Sequence, residues 1–328
     1  MTARQATAEA CSNVALVKYW GKRDVPLNLP ARGSLSVTLG ALKTTTTVRF
    51  DPGLEADRLE VGGQAREGSA LARASRVLDL VRARAGLADR AAVVSENTFP
   101  YASGLASSAS SMAALVLAAA AAGGLDLDAD EASVLARQGS GSAARSLHGG
   151  FVAWEQGAQA DGADSRGVGL FPQGHWDLRV VAALAGAVEK PVGSTEGMGQ
   201  TAATSPYHRA WLDTVDPDLA EARAAIAARD LERLGRVAEA SCLRMHADML
   251  AGEPGLVYWR GATVEMIHRC RALRQAGTPV WFTIDAGPHV KLLTTPEHEQ
   301  AVAEAAAAVP GITGVIRSGV GGPARVLP

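Results

Sequence analysis

The stretch PYASGLASSASSMAALVLAAAAAGG, residues 100–124, decides the fold class. A loop of Gly and Ser opens a long Ala/Leu segment that Gly123 and Gly124 close, which predicts a helix approached through small residues. Gly104, Ser107, Ser108 and Ser110 stand where free backbone N–H groups and the positive end of a helix dipole attract an anion. Small side chains there let phosphate oxygens come within hydrogen-bonding distance. A serine-rich cap on a hydrophobic helix is the plain structural alternative. The apolar run from Met112 to Ala122 is well short of the ~20 residues that span a bilayer, so it reads as a buried helix.

Upstream of this helix, residues 13–50 alternate β-prone runs with loops: NVALVKYW, then GKRDVPLNLPARG, then SLSVTLG and TTTTVRF. Apolar side chains at Leu71, Ala74, Val77, Leu78 and Val81 predict a helix stopped at Gly86, and AAVVSENTF predicts a strand. Downstream, EASVLARQ is helical, GSGSAARSLHGG is a second small-residue loop that opens another helix, and GFVAWEQG and LRVVAALAG are strand-like. Beyond about residue 190 helices dominate. Asp218 and Glu221 have capping-box spacing ahead of a helix reaching Leu250, and residues 261–276 form a helix ended by Gly277. VWFTIDAG and VKLLTT are strands, Pro296 opens a helix running to Ala308, and GVIRSGVGG closes the chain. The pattern is mixed α/β (α+β), with two units expected at residues 1–187 and 188–328.

The 328 residues are about twice the ~150 of an average domain, which agrees with two units. A net charge of -2 gives no electrostatic footprint for nucleic acid or an anionic membrane. Three cysteines without a CxxC pair offer neither a disulfide framework nor a zinc site, and the N-terminus lacks the apolar core of a secretory signal, so a cytoplasmic protein is expected. Lysine occurs at five positions only, and two of them fall in the pentapeptide KYWGK.

No GxxxxGK[ST] and no GxSxG occurs, which removes P-loop NTPases and α/β-hydrolases. GSGSAA at 139–144 matches a dinucleotide pattern but follows a helix rather than a strand, so the match is treated as chance. The same loop sets Ser140, Ser142 and Arg145 together, a group suited to an anionic substrate or, equally, to a tight turn with a solvated arginine. Lys18, Lys22 and Arg23 with the Tyr19 phenol make an anion clamp or a solvated strand end. Asp285, in FTIDAGP, stands where a strand leaves the core. Partial removal from water there makes a carboxylate more basic, although Asp before Ala-Gly-Pro is also an ordinary turn former. Trp154, Trp176, Trp211, Trp259 and Trp281 are assigned to cores, and His148, His246, His268 and His289 lack metal-ligand spacing.

Taken together, residues 13–24 (NVALVKYWGKRD), GLASSAS, GSGSAARSLHGGFVAW and FTIDAGP resemble, in order, the diphosphomevalonate decarboxylases of the GHMP kinase superfamily, with a weaker block GSTEGMGQTAATSPYHRAW. The resemblance implies an N-terminal domain like the second domain of ribosomal protein S5, a ferredoxin-like C-terminal domain, ATP with its Mg²⁺, and a homodimer. It implies phosphorylation of the tertiary 3-hydroxyl of 5-diphosphomevalonate, then loss of phosphate and CO₂ to give isopentenyl diphosphate. By the same resemblance Asp285 is the base, Arg145 the carboxylate ligand, Lys18 a cation beside the reacting groups, and Asn13 a support for Arg145 and substrate. Tyr19, Lys22, Ser140, Ser142 and Ser194 would hold substrate; Gly104, Ala106, Ser107, Ser108 and Asn97 would meet the nucleotide, with Ser108 also at the metal.

Three positions depart from the family pattern. Arg32-Gly33-Ser34 follows the LP dipeptide and His289 follows DAGP, both flanking the expected substrate site, whereas Ala144 in place of a common Cys keeps a small side chain and is expected to be neutral. Arg32 as an extra cation leaves a decarboxylase of 5-phosphomevalonate as an alternative. A small-molecule kinase without decarboxylation is a further one, and a non-catalytic RNA binder is disfavoured by the charge.

Overall fold

The computed structural model describes residues 4–99, 107–186 and 192–328. β1 (Arg4–Val17) leads through a small ribbon, β2 (Lys22–Asp24) and β3 (Leu29–Pro30), into β4 (Ser34–Asp51). β1 and β4 pair antiparallel from Arg4↔Phe50 to Val17↔Leu35, with register shifts between Cys11/Ser12 and Ala15/Val17. Threonines drive the far half of β4: Leu42, Thr44, Thr46, Val48 and Phe50 turn inward while the residues between them are more exposed, the period of two that a pleated strand imposes. β1 is buried without a break from Ala10 to Val17, because helices from both halves of the molecule cover it.

β5 (Arg58–Val61), β6 (Gln64–Arg66), α1 (Gly68–Ala85) and β7 (Arg90–Asn97) extend this sheet. α1 ends where expected: Gly86 takes φ 64°, a left-handed stop that a side chain would resist. α2 (Ser107–Ala122) follows, and its alanines let β1, β4, α1 and α3 (Ala129–Gly139) approach it from all sides. The segment expected to open a further helix after α3 is one 3₁₀ turn, Gly141–Arg145, before β8 (Phe151–Trp154) and β9 (Gly167–Phe171) complete the sheet.

The second sheet has the order β11-β12-β10-β13, built from β10 (Arg179–Leu184), β11 (Trp281–Ile284), β12 (Val290–Thr294) and β13 (Gly314–Gly319). On it pack α6 (Leu231–Leu250), α7 (Gly261–Gln275) and α8 (Glu299–Ala307), while α4 (Ser194–Thr204) packs against α6, and α5 (His208–Ala228) against α6, β1 and β4. The sheets therefore divide between Phe171 and Arg179, earlier than 187/188. The last strand, β14 (Arg325–Val326), returns to β1 through Ala8↔Val326 and Glu9↔Arg325.

Two expected helix starts are corrected. Asp218 and Glu221 lie inside α5, which contains Pro217. The break comes instead at Arg229, with φ 55°, and Asp230, whose carboxylate caps α6 by accepting from Arg233 N. The Asp218 carboxylate is drawn away from any capping role by Arg244 of α6, at 3.0 Å. Pro296 sits in the turn before α8 rather than in its first turn. α6 rides very close to the second sheet: a Cβ on Gly235 would lie 2.1 Å from Cγ of Trp281, so only glycine permits this approach.

Candidate active site

Separate stretches meet at one cavity of about 490 Å³. Asn13 and Lys18 come from the end of β1 and the residue beyond it; Tyr19 and Lys22 follow. Ser140 stands between α3 and the 3₁₀ turn, Ser142 and Arg145 come from that turn, Ser194 is the first residue of α4, and Asp285 is the residue after β11. Ser108 reaches the same cavity from α2.

Arg145 is 3% exposed. Its Nη1 donates to Ser34 Oγ at 2.6 Å, while Nε and Nη2 donate to Asn13 Oδ1, each at 3.2 Å. The amide of Asn13 is held in that orientation because its Nδ2 donates to Ser142 O at 3.1 Å and Ser146 Oγ at 2.8 Å. These partners of the guanidinium are neutral oxygens, and among the described residues no carboxylate lies within ion-pair distance of it. Burial pulls its pKa down to about 10, against the pull of Asp285 across the cavity, so it stays a cation at neutral pH. A buried cation without a counter-ion is a place for an anionic ligand.

Asp285 presents the opposite arrangement. Lys18 Nζ donates to its Oδ1 at 2.7 Å, and Lys291 Nζ lies 3.3 Å from Oδ2. The two lysines are 1% and 3% exposed, while the aspartate side chain opens to the cavity at 28%. Burial pushes the carboxyl up, but the two ammonium groups outweigh it and hold the pKa well below the usual carboxylate range. The expectation of a more basic Asp285 is thereby corrected: it is a firmly ionised anion.

α6 fixes this end of the site. Lys18 N donates to Ser241 Oγ at 3.0 Å, Ile284 N donates to Cys242 Sγ at 3.2 Å, and His246 Nε2 meets Ile284 O at 3.4 Å. Burial, then Lys18, pushes His246 down to about 3, so the neutral ring donates Nε2–H to that carbonyl.

The remaining polar groups are arranged for an acceptor-rich ligand. The Tyr19 hydroxyl is buried without a hydrogen-bond partner among the described residues, its ring edge-on to Trp154 at 4.7 Å. Lys22 Nζ donates to Asn28 Oδ1 at 2.6 Å and Thr195 Oγ1 at 3.2 Å. Ser140 Oγ donates to Ser108 Oγ at 3.2 Å and lies 3.3 Å from Ser142 Oγ, which links the start of α2 to the loop after α3. A second cavity of about 140 Å³ shares Arg73 and Ser108 with the first; Ser107 lines it, with Leu59, Val61, Val93 and Met112 as apolar walls.

Not every residue named from the sequence is gathered here. Asn97 accepts from Thr44 Oγ1 at 2.6 Å and lines neither cavity, and Gly104 and Ala106 lie outside the described residues. Arg32 faces Asp213 at 3.9 Å and Asp216 at 3.7 Å on α5 rather than lining the cavity, and His289 Nδ1 accepts from Ala185 N at 3.0 Å behind it. Lys291, Ser34, Ser146, Ser241, Arg73 and Arg76 went unrecognised as site residues. For Lys291 a signal existed, a rare lysine in the middle of the apolar run VKLLT.

The fold and cavity define a mixed α/β, two-domain protein of the GHMP kinase type, to whose solved members the whole chain compares. A model of the diphosphomevalonate decarboxylase-like N-terminal domain matches residues 10–167, and one of the mevalonate 5-diphosphate decarboxylase C-terminal domain matches residues 180–316. The chain is 40% identical to the diphosphomevalonate decarboxylase of Eremothecium gossypii over 312 residues, covering 90% of this chain and 78% of that one. Among solved structures it resembles the mevalonate diphosphate decarboxylase of Staphylococcus aureus (TM-score 0.94, 38% identity, 100% and 99% of the two chains). It likewise resembles MDDEF in complex with MVAPP, AMPPCP and magnesium (TM-score 0.93, 37% identity, 99% of each chain). The chain belongs to the diphosphomevalonate decarboxylase family.

Proposed function

We propose that this protein catalyses the ATP-dependent decarboxylation of (R)-5-diphosphomevalonate to isopentenyl diphosphate, releasing ADP, phosphate and CO₂. The observation that carries the reading is the pairing, on one cavity, of a buried arginine without a counter-ion and an aspartate clamped by lysines. The relatives' activity and the company of MVAPP, AMPPCP and magnesium in MDDEF support it.

In this reading Arg145, aimed by Asn13 and Ser34, takes the substrate carboxylate. Asp285 accepts a hydrogen bond from the 3-hydroxyl, and Lys18 holds that carboxylate in place. In a loose phosphoryl transfer the attacking oxygen loses its proton late, so orientation by a weak base suffices at the start. Tyr19, Lys22, Ser140, Ser142 and Ser194 hold the 5-diphosphate. Ser107 and Ser108 meet the nucleotide phosphates, and the apolar second cavity takes the base. The Ser108 hydroxyl is an oxygen donor suited to magnesium, a hard cation that draws most of its ligands from phosphate and water. When bound, the ion neutralises charge on the transferring phosphoryl oxygens. Once phosphorylated, the tertiary oxygen leaves, positive charge develops at C3, and loss of the carboxylate quenches it; Arg145 keeps that carboxylate aligned until then.

The remaining expectations are part of the same proposal: a cytoplasmic homodimer of two units, the second beginning near β10. Among the described residues no helix is long and apolar enough to cross a membrane. The test is a steady-state comparison of mevalonate, its 5-phosphate and its 5-diphosphate, following ADP and CO₂ together. Equal ADP and CO₂ with the highest kcat/KM on the diphosphate is expected; ADP with a stable phosphorylated product and no CO₂ would overturn the reading.

A further inference from the structure

Lys22 is held by neutral oxygens. Its Nζ donates to Asn28 Oδ1 at 2.6 Å and to Thr195 Oγ1 at 3.2 Å, and among the described residues no carboxylate lies within ion-pair distance of it. An ammonium group has three protons to donate, so one remains for a ligand. Lys22 and Asn28 both line the main cavity.

Asn28 is fixed through its backbone and its side chain. It ends the turn between β2 and β3, its N donating to Val25 O at 3.2 Å, and takes φ 53°, a left-handed conformation that asparagine tolerates better than most residues with a side chain. Its Nδ2 donates to Arg137 O at 3.1 Å and Gln138 O at 3.0 Å, in the last turn of α3, where a helix leaves carbonyls without partners of its own. Arg137 answers from the other side: Nε donates to Leu27 O at 3.2 Å, and Nη1 to Gly162 O at 2.6 Å and to Ser165 O. Arg137 is fully buried, so this exchange is shielded from water. With Nδ2 committed to two carbonyls, the amide presents its oxygen to Lys22. The same end of α3 runs directly into Ser140 and Ser142.

On the decarboxylase reading above, in which Lys22, Ser140 and Ser142 hold the 5-diphosphate, we propose that Asn28 is a positioning residue for that group. It aims Lys22 and sets its distance from the serine loop, so that the ammonium and the hydroxyls form one receptor of fixed span. A free lysine samples many rotamers, and holding it in one before the ligand arrives removes that cost from binding. The bonded partners of Arg145 and Asp285 do not include Asn28, so its contribution falls on binding rather than on the chemical step at C3.

Glycine accepts the left-handed backbone, so Asn28→Gly removes the bridge and keeps the turn. This variant should bind 5-diphosphomevalonate about tenfold more weakly, measured by calorimetry without ATP, and raise KM similarly, with kcat within about threefold of wild type. Asn28→Asp keeps the shape, loses both donated bonds and sets a carboxylate on the Lys22 ammonium, so it should weaken binding at least as much. In the Lys22→Met background the further change Asn28→Gly should alter kcat/KM by less than about twofold, because the group that Asn28 aims is gone. Three results would each overturn the proposal. Wild-type affinity in either Asn28 variant would show that the side chain is idle, an equal fall in kcat that it supports the fold at large, and a full loss persisting without Lys22 that it works apart from that lysine. Failure of wild-type protein to release CO₂ would overturn the function itself and this inference with it, whereas absence of the Asn28 effect in a protein that releases CO₂ overturns the inference alone.

Discussion

The two ends of the cavity solve opposite electrostatic problems. At one end Arg145 is a buried cation among neutral oxygens, and at the other Asp285 is an anion between two buried cations. The first end is left short of negative charge and is completed by a ligand. The second is compensated within the protein and keeps its geometry whether or not a ligand is present. Binding and positioning are thus separated in space, and removing a charge should have opposite effects on stability at the two ends.

The largest effect is expected from Asp285→Asn. Turnover should fall by about 10³-fold or more, in the range of a lost general base, and two buried lysines left without their carboxylate should lower stability by about 3 kcal/mol. Chemical denaturation together with kcat measures both, and an equally stable variant would break the contrast. Arg145→Met should lower kcat/KM by about 100-fold yet leave the ligand-free protein as stable as wild type or more so, because an uncompensated buried charge is removed. A lower melting temperature for that variant would place the two ends in the same category. Asn13→Ala, which strips the acceptor from two guanidinium nitrogens, should lower kcat/KM by about tenfold, mainly through KM. Unchanged kinetics would remove Asn13 from the support of Arg145.

The pH dependence of folding sharpens the contrast with the smallest signal. Asp285 has a depressed folded pKa, so its contribution to stability is present above the unfolded value of about 3.9 and is lost as pH falls through the lower folded value. Arg145, depressed to about 10, carries a penalty at all lower pH that is relieved only as pH rises past that value. Neither Asp285 nor Arg145 itself changes charge between about pH 6 and 9, so the contribution of the Asp285 carboxylate to wild-type stability should be lost only in acid, which urea melts of wild type below about pH 5 measure.

Much of the site was legible because its chemistry demands unusual composition. Small-residue loops such as GSGSAARS, and two of five lysines in one pentapeptide, stand out from a background rich in Ala and Leu. Strand and helix types were legible from their periods. What escaped depends on partners remote in the chain. Ser34 matters through Arg145, 111 residues away, and Ser241 through the amide of Lys18, 223 residues away. The capping-box spacing at Asp218 misled because the same carboxylate serves helix pairing, with Arg244 as its partner. The basicity of Asp285 could not be judged from FTIDAGP, since its sign is set by Lys18 and Lys291 and not by burial alone.

Gly235 contributes no chemistry, yet its bare Cα sets the height of α6 above Trp281. Ser241 and Cys242 lie about 9–10 Å further along that axis, where they grip the amide of Lys18 and the last peptide of β11. A single added carbon at position 235 would act as a shim beneath one end of a rigid rod, displacing the far end and the groups clamped to it. The aim of the cavity floor is therefore held to the thickness of a missing methyl group.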